Sequence, residues 1–249
     1  MWRNFEVMGG LSHESGGFWV SVESGADGDE IWWKNEFSGE FLSSEALFAP
    51  DGLRLRFWPF SLGEEAAKSW RETAQKSARA ARFGEAILEK LAPDAMRDGA
   101  ANLGDSAWRA LRNLVPETAR DDQSGTNFSP RLATEYAIYE ATRARKWLDF
   151  LELAAKNPDA REPFLRGAGE LMIQSHFSLD HRRQLRDARC DALVEWARKI
   201  GVTGGVYGAK IGVNVRGECE TVGVWVLGEA RGEWETEIEK VAQQLAETA

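Results

Sequence analysis

Two apolar runs of period two, Val206 through Val215 and Cys219 through Leu227, are separated only by Arg216-Gly217-Glu218. That alternation marks half-buried strands, and so short a link closes a hairpin. Residues 205 to 228 are thus expected to supply two strands of an antiparallel sheet on which a helical layer packs, and helical pattern is found upstream. Ser129-Pro130 sets an N-cap hydroxyl before a proline at the first helical position, opening a helix to about Lys156, before Asn157-Pro158. A second helix covers roughly 161 to 178, with Leu165, Met172 and Leu179 on one face. A third covers about 184 to 200, with Leu185, Leu193, Trp196 and Ile200 turned inward. A last helix runs from about Glu233 to Glu247.

Residues 1 to 60 read as a β-rich segment. Phe18-Trp19-Val20-Ser21-Val22 ends at Gly25 and Gly28, Ile31-Trp32-Trp33 follows, and Leu53 to Trp58 alternates apolar and basic after the turn Pro50-Asp51-Gly52. Ser61-Leu62-Gly63-Glu64 has capping-box spacing and predicts a helix to about Leu91, before Pro93. Residues 115 to 130 are polar and read as a loop. The expected fold is α+β, with helices packed on an antiparallel sheet, organised as residues 1–60 and 61–249.

The net charge of −9 argues against a nucleic-acid partner held by general electrostatics. No apolar run is long enough to span a bilayer, so no membrane partner is expected. The N-terminus, Met1 to Glu6, has no secretory h-region, and Cys190 and Cys219 stand far apart, so a reducing cytoplasm is the expected location. His176, His181, Cys190 and Cys219 contain no closely spaced pair, so no metal site is expected. No Gly-x-Ser-x-Gly elbow occurs, and no residue stands out as catalytic. Two basic features remain. Lys68, Arg71, Lys76, Arg79 and Arg82 recur at helical spacing, as a solvated face or as a lining for a phosphate-bearing ligand. His181-Arg182-Arg183 falls between two predicted helices, either solvated or in contact with an anion.

Three segments share the order and spacing of a known family. Gly169-Glu170-Leu171-Met172, two further residues, Ser175 and His176 resemble the Gly-Glu-Leu-Met helix of galactokinases and L-arabinokinases, members of the GHMP kinases. Cys190-Asp191-Ala192-Leu193-Val194-Glu195 resembles that family's next helix, and Gly205 through Ile211 resembles the strand before its last glycine-rich loop. Upstream, Leu55 to Trp58 resembles an L-arabinokinase strand, Ser61 to Arg71 follows a Ser-x-Gly…Ser-x-Arg pattern, and Val7-Met8-Gly9-Gly10 falls where the family has Met-Asp-Gln.

The resemblance implies the α+β C-terminal lobe of a sugar kinase. It places Gly208, Ala209, Lys210, Gly212, Asn214, Arg216 and Gly217 beside a nucleotide, and Gly9, Gly10, Arg71 and His176 beside the sugar. If the chain is active, it implies Mg-ATP as co-substrate, phosphorylation of a sugar hydroxyl, and a separate N-terminal lobe as partner. The residues depart from the pattern at the points chemistry needs. Phosphoryl transfer depends on positioning and on N–H groups that approach phosphate closely. The family's Gly-Leu-Ser-Ser-Ser-Ala loop is not found; Phe41-Leu42-Ser43-Ser44-Glu45-Ala46 lacks its glycine and carries a carboxylate. Gly9 stands where the family places an Asp, and Ala67 where it places a Tyr. In Gly212 to Glu220 only two glycines remain, with Glu218 and Glu220 added. Three readings stay open: a non-catalytic relative serving as a binding or regulatory module, the C-terminal part of a working sugar kinase, and an unrelated α+β structural protein.

Overall fold

The computed structural model describes residues 4–9, 18–25, 28–35, 40–43, 53–97, 99–120, 125, 127–214, 221–229 and 233–247. Nine strands are described: β1 (Asn4–Gly9), β2 (Phe18–Gly25), β3 (Gly28–Asn35), β4 (Glu40–Ser43), β5 (Leu53–Ser61), β6 (Ala119–Arg120), β7 (Asn127–Phe128), β8 (Val206–Asn214) and β9 (Thr221–Glu229). Seven form one sheet in the order β4-β3-β2-β1-β8-β9-β5, each neighbour antiparallel, and β6-β7 form a short ribbon inside the predicted loop. The predicted hairpin is β8-β9, in register from Val213↔Val222 to Val206↔Gly228 with a bulge between Val206 and Gly208. Arg216, Gly217, Gly10 and the turn at residues 50–52 lie outside the described residues.

The hairpin sits between two sets of helices. Alternate side chains of β9 feed different clusters. Trp225 and Leu227 join Leu53, Leu55 and Tyr207 against α3 (Pro130–Lys156) and α4 (Glu162–Ser178). Val222, Val224 and Val226 join Ala209, Ile211 and Phe60 against α5 (Ala188–Ile200) and α6 (Trp234–Glu247). This part of the sheet is therefore covered on both faces, and β9 is buried along nearly its whole length. β5 ends the sheet, which suits Pro59, whose missing N–H costs nothing on the outer edge. The α+β class and the antiparallel sheet agree with the expectation.

Four local expectations need correction. Ser61 does not cap a helix: it is the last residue of β5, paired with Thr221, and α1 (Glu64–Leu91) starts after Gly63 with no side-chain cap. The helix α2 (Asp105–Leu111), not expected from the sequence, seats Trp108 in the core. The third predicted helix begins late: Leu179–Arg183 forms a π-turn, Gln184 sits in the left-handed region, and Asp187 caps α5 by accepting from the Arg189 and Cys190 N–H groups. Trp196 does not turn inward but is exposed, because Cys190, Leu193, Val194 and Ala197 set the buried stripe. Ser129 does occupy the N-cap of α3 ahead of Pro130, but its hydroxyl makes no capping bond.

Candidate functional site

α4 lies against β8 at backbone distance. A Cβ at Gly169 would overlap the Tyr207 carbonyl, and one at Gly208 would overlap Gly169. Only glycine on both sides allows this approach. It sets the register that brings Ser175 and His176 of α4 to Lys210 and Ile211 of β8.

Lys210 is 2% exposed and Glu140 of α3 is fully buried. Lys210 Nζ stands 3.2 Å from Glu140 Oε1, and Ser175 Oγ donates to the same oxygen. Arg143 donates to Glu140 Oε2 from Nε at 2.9 Å and from its terminal nitrogen at 2.8 Å. Burial alone would raise the Glu140 carboxyl, but Lys210, Arg143 and Ser175 hold it below the usual carboxylate range. The charge is thus kept and fully partnered, the condition under which a buried ion survives.

Beside this group the Ile211 N–H donates to His176 Nδ1 at 3.4 Å. Among the described residues β1 pairs with β8 at Val213 and Asn214, so the imidazole serves Ile211 where no described strand does. Nδ1 as acceptor places the proton on Nε2, 3.4 Å from Asp191 Oδ1 of α5. Burial, and then Lys210, push the His176 pKa down to about 4, so the ring is neutral at pH 7.

The polar network continues outward. Ser178 Oγ accepts from Arg143 at 2.8 Å and from Arg182 at 3.2 Å. Arg182 pairs with Glu135 Oε2 at 3.3 Å, and Trp108 Nε1 donates to Glu135 Oε1 at 3.2 Å. Arg182 also lines a surface groove of about 140 Å³ between α1, the start of α3 and the π-turn, together with Lys76 and Arg183. Arg183 is held by Ser77 Oγ at 3.0 Å and the Ala74 carbonyl at 3.4 Å, and lies over Tyr136.

The residues that the kinase resemblance placed near a nucleotide fall into this packing. Gly208, Ala209, Lys210 and Gly212 are all buried, and a Cβ at Gly212 would overlap Trp225. Asn214 ends β8, paired with Phe5. Of those placed near a sugar, His176 is in the core, Arg71 is exposed on α1, and Gly9 ends β1 opposite Trp19. The basic face of α1 does not act as a unit: Lys68 pairs loosely with Glu72, whereas Lys76 enters the groove beside the Arg182-Arg183 pair.

Glu140 and Glu135 were not singled out from sequence. The available signal was position: each lies on the stripe of α3 that carries Tyr136, Ala137, Ala141 and Ala144, where a carboxylate must find a cation. Among the described residues no group of three or more His, Cys, Asp or Glu could hold a metal ion. No protein-family model matches the chain, and no curated protein matches it.

Proposed function

We propose that the chain is a non-catalytic relative of the GHMP sugar kinases that works as a binding or regulatory module. What supports the kinship is the resemblance of Gly169–His176, Cys190–Glu195 and Gly205–Ile211, in that order, to segments of galactokinase-like enzymes. The observation that carries the non-catalytic reading is the fate of Gly208 to Gly212. The glycines are spent on close packing with α4 and Trp225, and Lys210 is neutralised by Glu140 in the core. These residues present no group to a nucleotide's phosphates, so they do not fit Mg-ATP, and no transfer step is assigned to them.

The test is a calorimetric titration of the purified chain with Mg-ATP, alone and with galactose or L-arabinose present. The expected result is no saturable heat with nucleotide under any condition. Saturable Mg-ATP binding would overturn the reading and favour the C-terminal part of a working sugar 1-kinase, to be tested by adding the phosphate-loop lobe of a galactokinase.

A further inference from the structure

We propose that the groove between α1, the N-terminus of α3 and the turn after α4 binds a phosphoryl group, as free phosphate or as a small phosphate ester. Three cations converge there from two distant parts of the chain: Lys76 from α1, and Arg182 and Arg183 from the π-turn. No carboxylate lines the groove among the described residues. One cation has a counter-charge, since Arg182 is paired with Glu135 beneath it. Among the described residues Arg183 meets neutral acceptors, Ser77 Oγ and the Ala74 carbonyl, and the face of Tyr136 at 5.3 Å. Lys76 makes no hydrogen bond or ion pair among the described residues. Among the described residues, two positive charges in one concave site are therefore without a carboxylate partner, on a chain whose net charge is −9.

The guanidinium groups are already fixed. Arg182 lies 5.3 Å over Tyr139 and bonds to Ser178 and Glu135; Arg183 is clamped between α1 and Tyr136. A planar fork held in place loses little entropy when it takes up an oxyanion. The third wall is the start of α3, a helix of 27 residues whose positive end faces the groove through Ser129 and Leu132. Pro130 has no N–H and the Arg131 N–H is taken by the Pro116 carbonyl, but the Leu132 N–H has no backbone acceptor among the described residues. Ser129 Oγ makes no capping bond. Gln184, with φ of 58°, completes the rim from a conformation that non-glycine residues seldom adopt.

The ligand class follows from size and charge. A site of about 140 Å³ takes a phosphoryl group and the first atoms attached to it, not a polymer. The net charge of −9 disfavours a nucleic acid. The inference needs no kinship with the kinases; it rests on the groove alone.

The test is calorimetric titration of the full chain at low ionic strength with inorganic phosphate and, separately, with glycerol 3-phosphate. Saturable binding is expected, with the ester tighter if the biological ligand is an ester and phosphate tighter if it is the free ion. Lys76→Gln, which removes no bond among the described residues, should weaken binding by about tenfold. Lys68→Gln, on the same helix but outside the groove, should leave it unchanged. Absence of saturable binding to both probes would overturn the proposal, as would equal losses in the two variants.

Discussion

At residue scale the decisive choices are two buried titratable groups that pull in opposite directions. His176 is held neutral by burial and by Lys210, with its pKa lowered from 6.5 to about 4. As pH falls through that window, the unfolded chain takes up a proton the folded chain refuses. Stability present above pH 6.5 is lost on the way down to about pH 4, by about 3 kcal/mol in all. Glu85, buried on α1 with one carboxylate oxygen unpartnered among the described residues, has its pKa raised to about 7 by burial and then by Glu89. There the folded chain takes the proton first, so stability rises as pH falls from about 7 toward 4.5. Urea unfolding across pH 4 to 8 separates them. His176→Gln should gain on the wild type as pH drops below 6.5, and Glu85→Gln should exceed it most above pH 7. Curves that stay parallel to the wild type across the range would show that neither group titrates in this way.

Elements show what a single sequence makes legible and what it hides. Helix α4 is readable nearly to its ends, because Glu162-Pro163 opens it and Leu165, Met172 and Leu179 repeat at helical spacing. The start of α5 is not, because Asp180 to Asp187 contains neither glycine nor proline to mark the π-turn, and Asp187 is one acid among several until its cap bonds are seen. The Gly169 and Gly208 pair is hidden for another reason. Each looks like a family signature in its own segment, and only their contact shows that the requirement is a close helix-strand crossing. The groove cations Lys76, Arg182 and Arg183 were each legible as basic, but their convergence depends on how α1 packs across the π-turn. Gly169→Ala tests the crossing. The new methyl meets backbone rather than a movable side chain, so the expected cost is about 3 kcal/mol. A loss below about 1 kcal/mol in denaturant unfolding would mean that α4 can shift without penalty, and that the register of Ser175 and His176 is set elsewhere.

For the whole molecule the question is how the N-terminal strands join the helical layer. The hairpin and its covering helices follow from local pattern, but strand order does not: β1 comes from the start of the chain and pairs with β8, whereas β5 pairs with β9 on the opposite side. The two joints differ greatly in extent. Among the described residues β5 pairs with β9 from Leu53 to Ser61, while β1 pairs with β8 through Phe5↔Asn214 and Glu6↔Val213. The β8 edge that faces β1 is also blunted, since His176 already takes the Ile211 N–H. A chain beginning at residue 53 should therefore fold without the β1 to β4 meander. It should keep one cooperative unfolding transition and its near-ultraviolet circular dichroism. Its midpoint should fall, because α3 loses its neighbours β1 and β2. Phosphate binding should persist, since none of the described residues that line the groove lies upstream of Thr73. If the shortened chain instead gives a broad, non-cooperative transition, the meander is part of the folding unit, and the short β1-β8 joint understates what the N-terminal strands contribute.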